Sequence, residues 1–170
     1  IYATLGAVIS YYYLDRYRQA RDLLAAIPPD QRSSLLTYWN GEIAYRLGNW
    51  EEAITAFQTV AAQATESVVL QEAYFGLIKV LYTQERWQAA LEQVRTIARD
   101  MLTPEMFLIA GDCALNLKDY TAALEFYHEI QERFSDHPLA QNVLYYSGYA
   151  AYKMEQFEQA RQFFAKLIRD

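Results

Sequence analysis

Among 170 residues there are only 6 glycines and 4 prolines, too few for a flexible linker or a turn-rich β fold. One cysteine, Cys113, excludes an internal disulfide; close to Gly111 on an expected helix, it reads as a small buried thiol. The 15 basic residues are outnumbered by 21 acidic ones, for a net charge of −6. Such a chain lacks the positive surface that nucleic-acid phosphates attract. Its densest basic cluster, Arg16, Arg18 and Arg21, is explained by a solvated helix face. The longest uncharged stretch, residues 1–14, falls short of the roughly 20 residues that span a bilayer, so no membrane insertion of this segment is expected. That stretch also lacks the basic start and small-residue cleavage site of a signal peptide. The chain opens inside an apolar pattern and without Met, so it reads as a fragment of a longer protein.

Catalytic patterns are missing too. The two histidines, His128 and His137, are nine apart with no Cys or His partner at metal-ligand spacing. There is no glycine-rich phosphate loop, GxSxG or HExxH. Glu51-Glu52 resembles a carboxylate pair, but negative charge at a helix start is favoured by the helix dipole, and adjacent helical residues point apart. No enzyme activity, metal or cofactor is expected.

What the chain does have is aromatic residues, 15% of the total with 15 tyrosines, and a period. Tyr17/Ala20, Trp50/Ala53, Trp87/Ala90, Tyr120/Ala123 and Phe157/Ala160 repeat one aromatic-x-x-Ala step, the alanines being 33, 37, 33 and 37 residues apart. Each step extends into a helical stripe, such as Tyr17, Ala20, Leu24, Ile27 or Trp50, Ala53, Phe57, Val60. A fixed period in this range marks one supersecondary unit stacked on itself. A second helical segment precedes each striped one, joined to it by a short polar turn such as Gly48-Asn49 or Lys118-Asp119. Glycine accepts the left-handed conformation that ends a helix, and Asn or Asp caps the next. Pro28, Pro29, Pro104 and Pro138 all fall at junctions. The expected organisation is one all-α solenoid of five helix pairs, residues 1–33, 34–70, 71–103, 104–140 and 141–170, each an A helix followed by a B helix. Alanine lets the two helices approach, and the aromatic three residues earlier plugs the gap beneath. Neither helix buries its apolar face alone, so units must stack.

NGEIAYRLGNWEEAITAF (40–57), IAGDCALNLKDYTAALEFY (109–127) and YYSGYAAYKMEQFEQARQFF (145–164) resemble the tetratricopeptide repeat (TPR). The family's eighth-position glycine is Gly41, Gly111 and Gly148; the first and third units carry Val8 and Ile78, with Gly6 and Gly76 two residues earlier. A shifted or looser helix crossing is expected there. RFSDHPLAQNVLYYSGYAAYK (133–153), with its Phe134-to-Pro138 step, resembles a long variant common in bacterial envelope lipoproteins and assembly factors. Periplasm or envelope and cytoplasm both stay open.

The resemblance implies a right-handed superhelix and a non-catalytic scaffold for a protein or peptide partner, held in a groove lined by the A helices. Carried onto this sequence, the groove positions include Tyr12, Tyr13, Tyr38, Glu42, Tyr45, Arg46, Phe75, Lys79 and Tyr82. Further along they include Asp112, Asn116, Tyr145, Tyr149, Tyr152 and Lys153. The twelfth position is tyrosine in four of the five units, Leu115 being the exception. These tyrosines either anchor a bound segment or fill seams between helices. The family's carboxylate clamp, which takes a chaperone tail, is not matched: Ile9 and Trp39 replace its asparagines, and Glu72 and Gly76 stand where basic residues belong. Two alternatives remain. One is a homo-oligomer built through the solenoid ends, which look apolar from Ile1 through Val8 to Leu14 and again at Phe163, Phe164, Leu167 and Ile168. The other is the regulatory region of a larger enzyme.

Overall fold

The structure is a computed structural model that describes residues 2–169; Ile1, expected in the apolar first helix, lies outside them. Among the described residues there are ten α-helices and no strand. They run α1 (Tyr2–Tyr13), α2 (Tyr17–Ala25), α3 (Ser34–Arg46), α4 (Trp50–Gln63), α5 (Ser67–Thr83), α6 (Trp87–Thr96), α7 (Pro104–Asn116), α8 (Tyr120–Arg133), α9 (Pro138–Lys153) and α10 (Phe157–Arg169). Odd-numbered helices are the A helices and even-numbered ones the B helices. The boundaries expected at 71 and 141 fall inside α5 and α9, whose first turns start at Ser67 and Pro138.

Proline marks the starts. Pro104 and Pro138 occupy the first turns of α7 and α9, where the missing N–H costs nothing. The Thr103 and Ser33 hydroxyls accept from Met106 N and Leu36 N, each satisfying an orphan donor of a helix N-terminus. Of the two expected turn caps, Asp119 accepts from Ala122 N at 3.1 Å. Asn49 instead turns its amide toward Glu52.

Every A-to-B turn contains one left-handed residue: Asp15, Gly48, Glu85, Lys118 and Glu155, with φ between 55° and 77°. Only one is glycine. The turn is therefore imposed by helix packing on four residues that resist it locally.

By contact density the chain divides into residues 1–80 and 81–170, the division falling within α5. In the first unit, Val8, Leu24, Leu36 and Ile43 form one buried cluster. The fully buried Phe57 ring lies against both Gly41 and Gly76, where an added Cβ would stand 2.7 and 2.5 Å from it. Gly76 is thus part of the packing, while Gly6 has nothing among the described residues within 4 Å of the same position. In the second unit, Gly111 receives the buried Tyr127 ring and Gly148 the Phe164 ring. Each glycine is 16 residues before the ring of its own B helix. Where the eighth position is Val8, the residue 16 further on is Leu24, a smaller plug in the same cluster.

The five repeat alanines, Ala20, Ala53, Ala90, Ala123 and Ala160, are all buried. The aromatics three residues before them are not: Tyr17, Trp50, Trp87 and Tyr120 are half-buried and Phe157 is 60% exposed. They open the B helices and do not plug the gap beneath the alanine; Phe57 and its counterparts take that role.

Candidate functional site

The twelfth-position tyrosines have a local task. Tyr12, Tyr45, Tyr82 and Tyr152 each meet, edge-on, the first aromatic of the B helix five residues later: Tyr17, Trp50, Trp87 and Phe157, with ring centroids 5.1 to 5.8 Å apart. Such pairs contribute about 0.5–1.5 kcal/mol beyond their buried area. The aromatic-x4-aromatic spacing is visible in the sequence, and it clasps the helix hairpin shut. Tyr12 is buried, Tyr45 and Tyr82 are half-buried, and Tyr152 keeps 55% of its surface.

In the first unit the remaining candidates close on themselves. Glu42 on α3 is only 6% exposed. Lys79 on α5 donates to both its oxygens, at 2.9 Å to Oε1 and 3.2 Å to Oε2. The Lys79 ammonium lies 4.5 Å from the Tyr45 ring centroid and 5.6 Å from that of Phe75, a cation–π setting. Tyr12 on α1 donates to Glu42 Oε2 at 3.1 Å and accepts from Arg46 Nε at 3.0 Å. Burial is the chief reason the Tyr12 phenol is pushed up to about 12; it also holds the Tyr38 phenol far above its ordinary value. Tyr38 donates to Glu72 at 3.5 Å, a long contact. Tyr13 is exposed. The buried Trp39 Nε1 has no hydrogen-bond partner among the described residues, although its ring packs edge-on against Tyr12, Tyr13 and Tyr38.

The second unit leaves its candidates open. Tyr145, Tyr149 and Tyr152, at i, i+4 and i+7 of α9, are 54, 39 and 55% exposed. Lys153 lies 5.4 Å from the Tyr149 ring. On α7, Asp112 accepts from Tyr127 Oη at 2.8 Å. Burial raises its carboxyl above the ordinary range, with the tyrosine hydrogen bond pulling the other way. Asn116 turns back to its own helix, donating to Asp112 O. Burial, and secondarily Asp112, pushes the Cys113 thiol up to about 12, so it is inert at neutral pH. Tyr146, which the groove positions skip, is 38% exposed and joins the buried Tyr127 ring (5.9 Å) to Tyr145 (5.5 Å).

The two sets correspond. The alternating spacings of 33 and 37 amount to a longer period of 70 residues. A shift of 70 carries Tyr12 to Tyr82, Gly41 to Gly111, Glu42 to Asp112 and Phe57 to Tyr127. It also carries Arg46 to Asn116, Phe75 to Tyr145 and Lys79 to Tyr149. The carboxylate persists in the second copy, and both of its cations are replaced.

A hollow of about 720 Å³ lies apart from these side chains, bordered by Pro29, Arg32, Thr37, Asn40, Glu52 and Gln63. No group of three His, Cys, Asp or Glu able to hold a metal ion occurs among the described residues. No described helix is long and apolar enough to cross a membrane.

Family comparison agrees with this architecture. Tetratricopeptide repeat models match residues 5–68, 38–101 and 75–138, and a further one matches 142–170. The chain belongs to the tetratricopeptide repeat family. Solved TPR-like solenoids share the fold. MamA of strain AMB-1 is 15% identical, with 98% of this chain and 96% of that one covered at a TM-score of 0.75. The C-terminal part of a TPR repeat-containing protein from Cytophaga hutchinsonii is 18% identical, covering 99% and 66%, at 0.83. The apo form of RapI is 17% identical, covering 98% and 68%, at 0.76. No curated protein matches the sequence. At such identities the likeness concerns the fold alone.

Proposed function

We propose that this TPR chain is a non-catalytic scaffold that holds a peptide or helix of a partner protein against its A helices, with the α9 tyrosines as anchors. One observation carries the reading. On α9, Val143, Leu144, Ala150 and Ala151 are buried, while Tyr145, Tyr149 and Tyr152 stay exposed on one face. Tyrosine anchors contact at low conformational cost and can hydrogen-bond at the same time, which is why interfaces are rich in them. The first-unit candidates contribute less directly, because Tyr12 and Lys79 already bond Glu42.

The test is a Tyr145→Ser/Tyr149→Ser/Tyr152→Ser variant, assayed for capture of partner segments from a displayed peptide library alongside circular dichroism. Loss of binding with unchanged helicity is the expected outcome. Unchanged binding rejects the α9 face, and unfolding assigns these tyrosines to packing.

A second reading, self-association, is favoured by α10. Phe163, Phe164 and Leu167 are only half-buried there, and Ile168 is 84% exposed. A specific contact needs about 800 Å² per partner. Sedimentation across a concentration series should show a dimer that Phe163→Glu/Ile168→Glu abolishes; a monomer of 19.8 kDa throughout would reject it.

A further inference from the structure

Glu42 and Asp112 are the same repeat position in two different electrostatic settings. Glu42 is nearly buried, and its charge is met by Lys79 directly and by Arg46 through Tyr12. Seventy residues on, those cations become Tyr149 and Asn116. Among the described residues no cation pairs with Asp112, whose side-chain partner is the Tyr127 hydroxyl. A partly buried carboxylate with no counter-ion opposes folding, because its charged form loses hydration without a Coulombic return. Perturbed groups of that kind concentrate at functional sites. The aromatic surroundings persist across the 70-residue shift: Tyr82 for Tyr12, Tyr145 for Phe75 and Tyr127 for Phe57. Aromatic contacts run outward from Tyr127, Asp112's hydrogen-bond donor, through Tyr146 to the exposed Tyr145.

We propose that Asp112 receives a lysine or arginine side chain of the bound partner segment, in the role that Lys79 fills for Glu42 within the first unit. The inference rests on the groove reading above and adds the chemistry of its ligand: a basic residue flanked by apolar ones that lie on the α9 tyrosines. A carboxylate beside aromatic rings suits an ammonium or guanidinium, which gains a charge-assisted hydrogen bond and ring contacts together. A divalent ion would demand several more oxygen ligands than this site offers.

Two measurements test it. The first is a positional-scanning nonapeptide library selected on the immobilised chain. The wild type should enrich Lys or Arg at one position by about tenfold over Glu, as a charge-assisted contact implies. Asp112→Asn should keep binding but lose that preference. Peptides bound without a basic preference, or a preference that survives Asp112→Asn, would overturn the inference while leaving the groove reading intact. The second needs no ligand. Tyr149→Lys places a lysine 37 residues after Asp112, the spacing of Lys79 from Glu42. It should raise the urea midpoint in the Asp112 background and not in the Asp112→Asn background. Equal effects in both backgrounds would deny that Asp112 takes a cation. Coupling without any selected peptide would show that Asp112 accepts a cation but overturn its role in holding a partner segment, together with the groove reading.

Discussion

At positions 42 and 112 two A helices present a carboxylate at the same point of the repeat, and the two units treat it in opposite ways. In the first, Glu42, Lys79, Tyr12 and Arg46 form a chain of hydrogen bonds linking α1, α3 and α5. In the second, Asp112 has the Tyr127 hydroxyl and no cation among the described residues, and the α9 tyrosines Tyr145, Tyr149 and Tyr152 are exposed. The repeat thus separates scaffold from surface. Positions that pack A on B, a glycine facing a ring and a buried repeat alanine, serve both units alike. Positions on the A-helix face differ, carrying internal polar links in one unit and exposed tyrosines in the other.

The packing half of this comparison predicts the largest effects. Phe57→Ala and Tyr127→Ala remove the same plug from each unit, and each should cost about 3–5 kcal/mol through lost burial and a residual cavity. Urea denaturation should show similar losses; a strong inequality would break the equivalence of positions 57 and 127.

Next comes the charge contrast. Lys79→Met leaves Glu42 buried without its cation and should cost about 3 kcal/mol. Asp112→Asn, its counterpart in the second unit, should change stability by less than about 1 kcal/mol, because the amide oxygen still accepts from Tyr127. Equal costs in urea melts would mean that Asp112 has a counter-ion after all.

Glycine sharpens the packing rule. Gly111→Ala places a methyl 2.2 Å from the buried Tyr127 ring and should cost about 1–3 kcal/mol of overpacking. Gly6→Ala, with nothing among the described residues within 4 Å, should stabilise α1 by about 0.5–1 kcal/mol. Thermal melts of the pair should shift in opposite directions.

The smallest effect is pH-dependent. Burial raises the Asp112 pKa, so the native state holds that proton more tightly than the unfolded chain does. Stability from this group is present below the ordinary value of 3.8 and is lost as pH rises through the raised native value. At neutral pH the group therefore works against folding. Asp112→Asn should flatten this part of the stability profile between neutral pH and pH 4. A wild-type-like slope in the variant would assign it to other carboxylates.

Much of the architecture was legible in the chain itself. The aromatic-x-x-Ala step, the prolines at junctions and the helical stripes rest on local rules of period and backbone geometry, so ten helices in pairs could be read without coordinates. The starts of α5 and α9 were misplaced by a few residues, because repeat length marks a unit less sharply than Ser67 or Pro138 marks a helix start. The aromatic-x4-aromatic clasp and the 70-residue period are also in the letters, the first as a five-residue spacing within a unit and the second as the sum of neighbouring alanine spacings.

Tertiary packing decided the rest. A Cβ-free position is legible in sequence, but only three dimensions show that Gly76 packs against Phe57 as Gly41 does, while Gly6 meets nothing among the described residues. A tyrosine is apolar along its body and polar at its tip, so its identity is compatible with either fate. Tyr12 became a buried hydrogen-bond bridge and Tyr145 stayed exposed because of what α3 and α10 bring beside them. The local sequence determines which face of a helix is apolar; the neighbours across that face determine how much of it water still reaches.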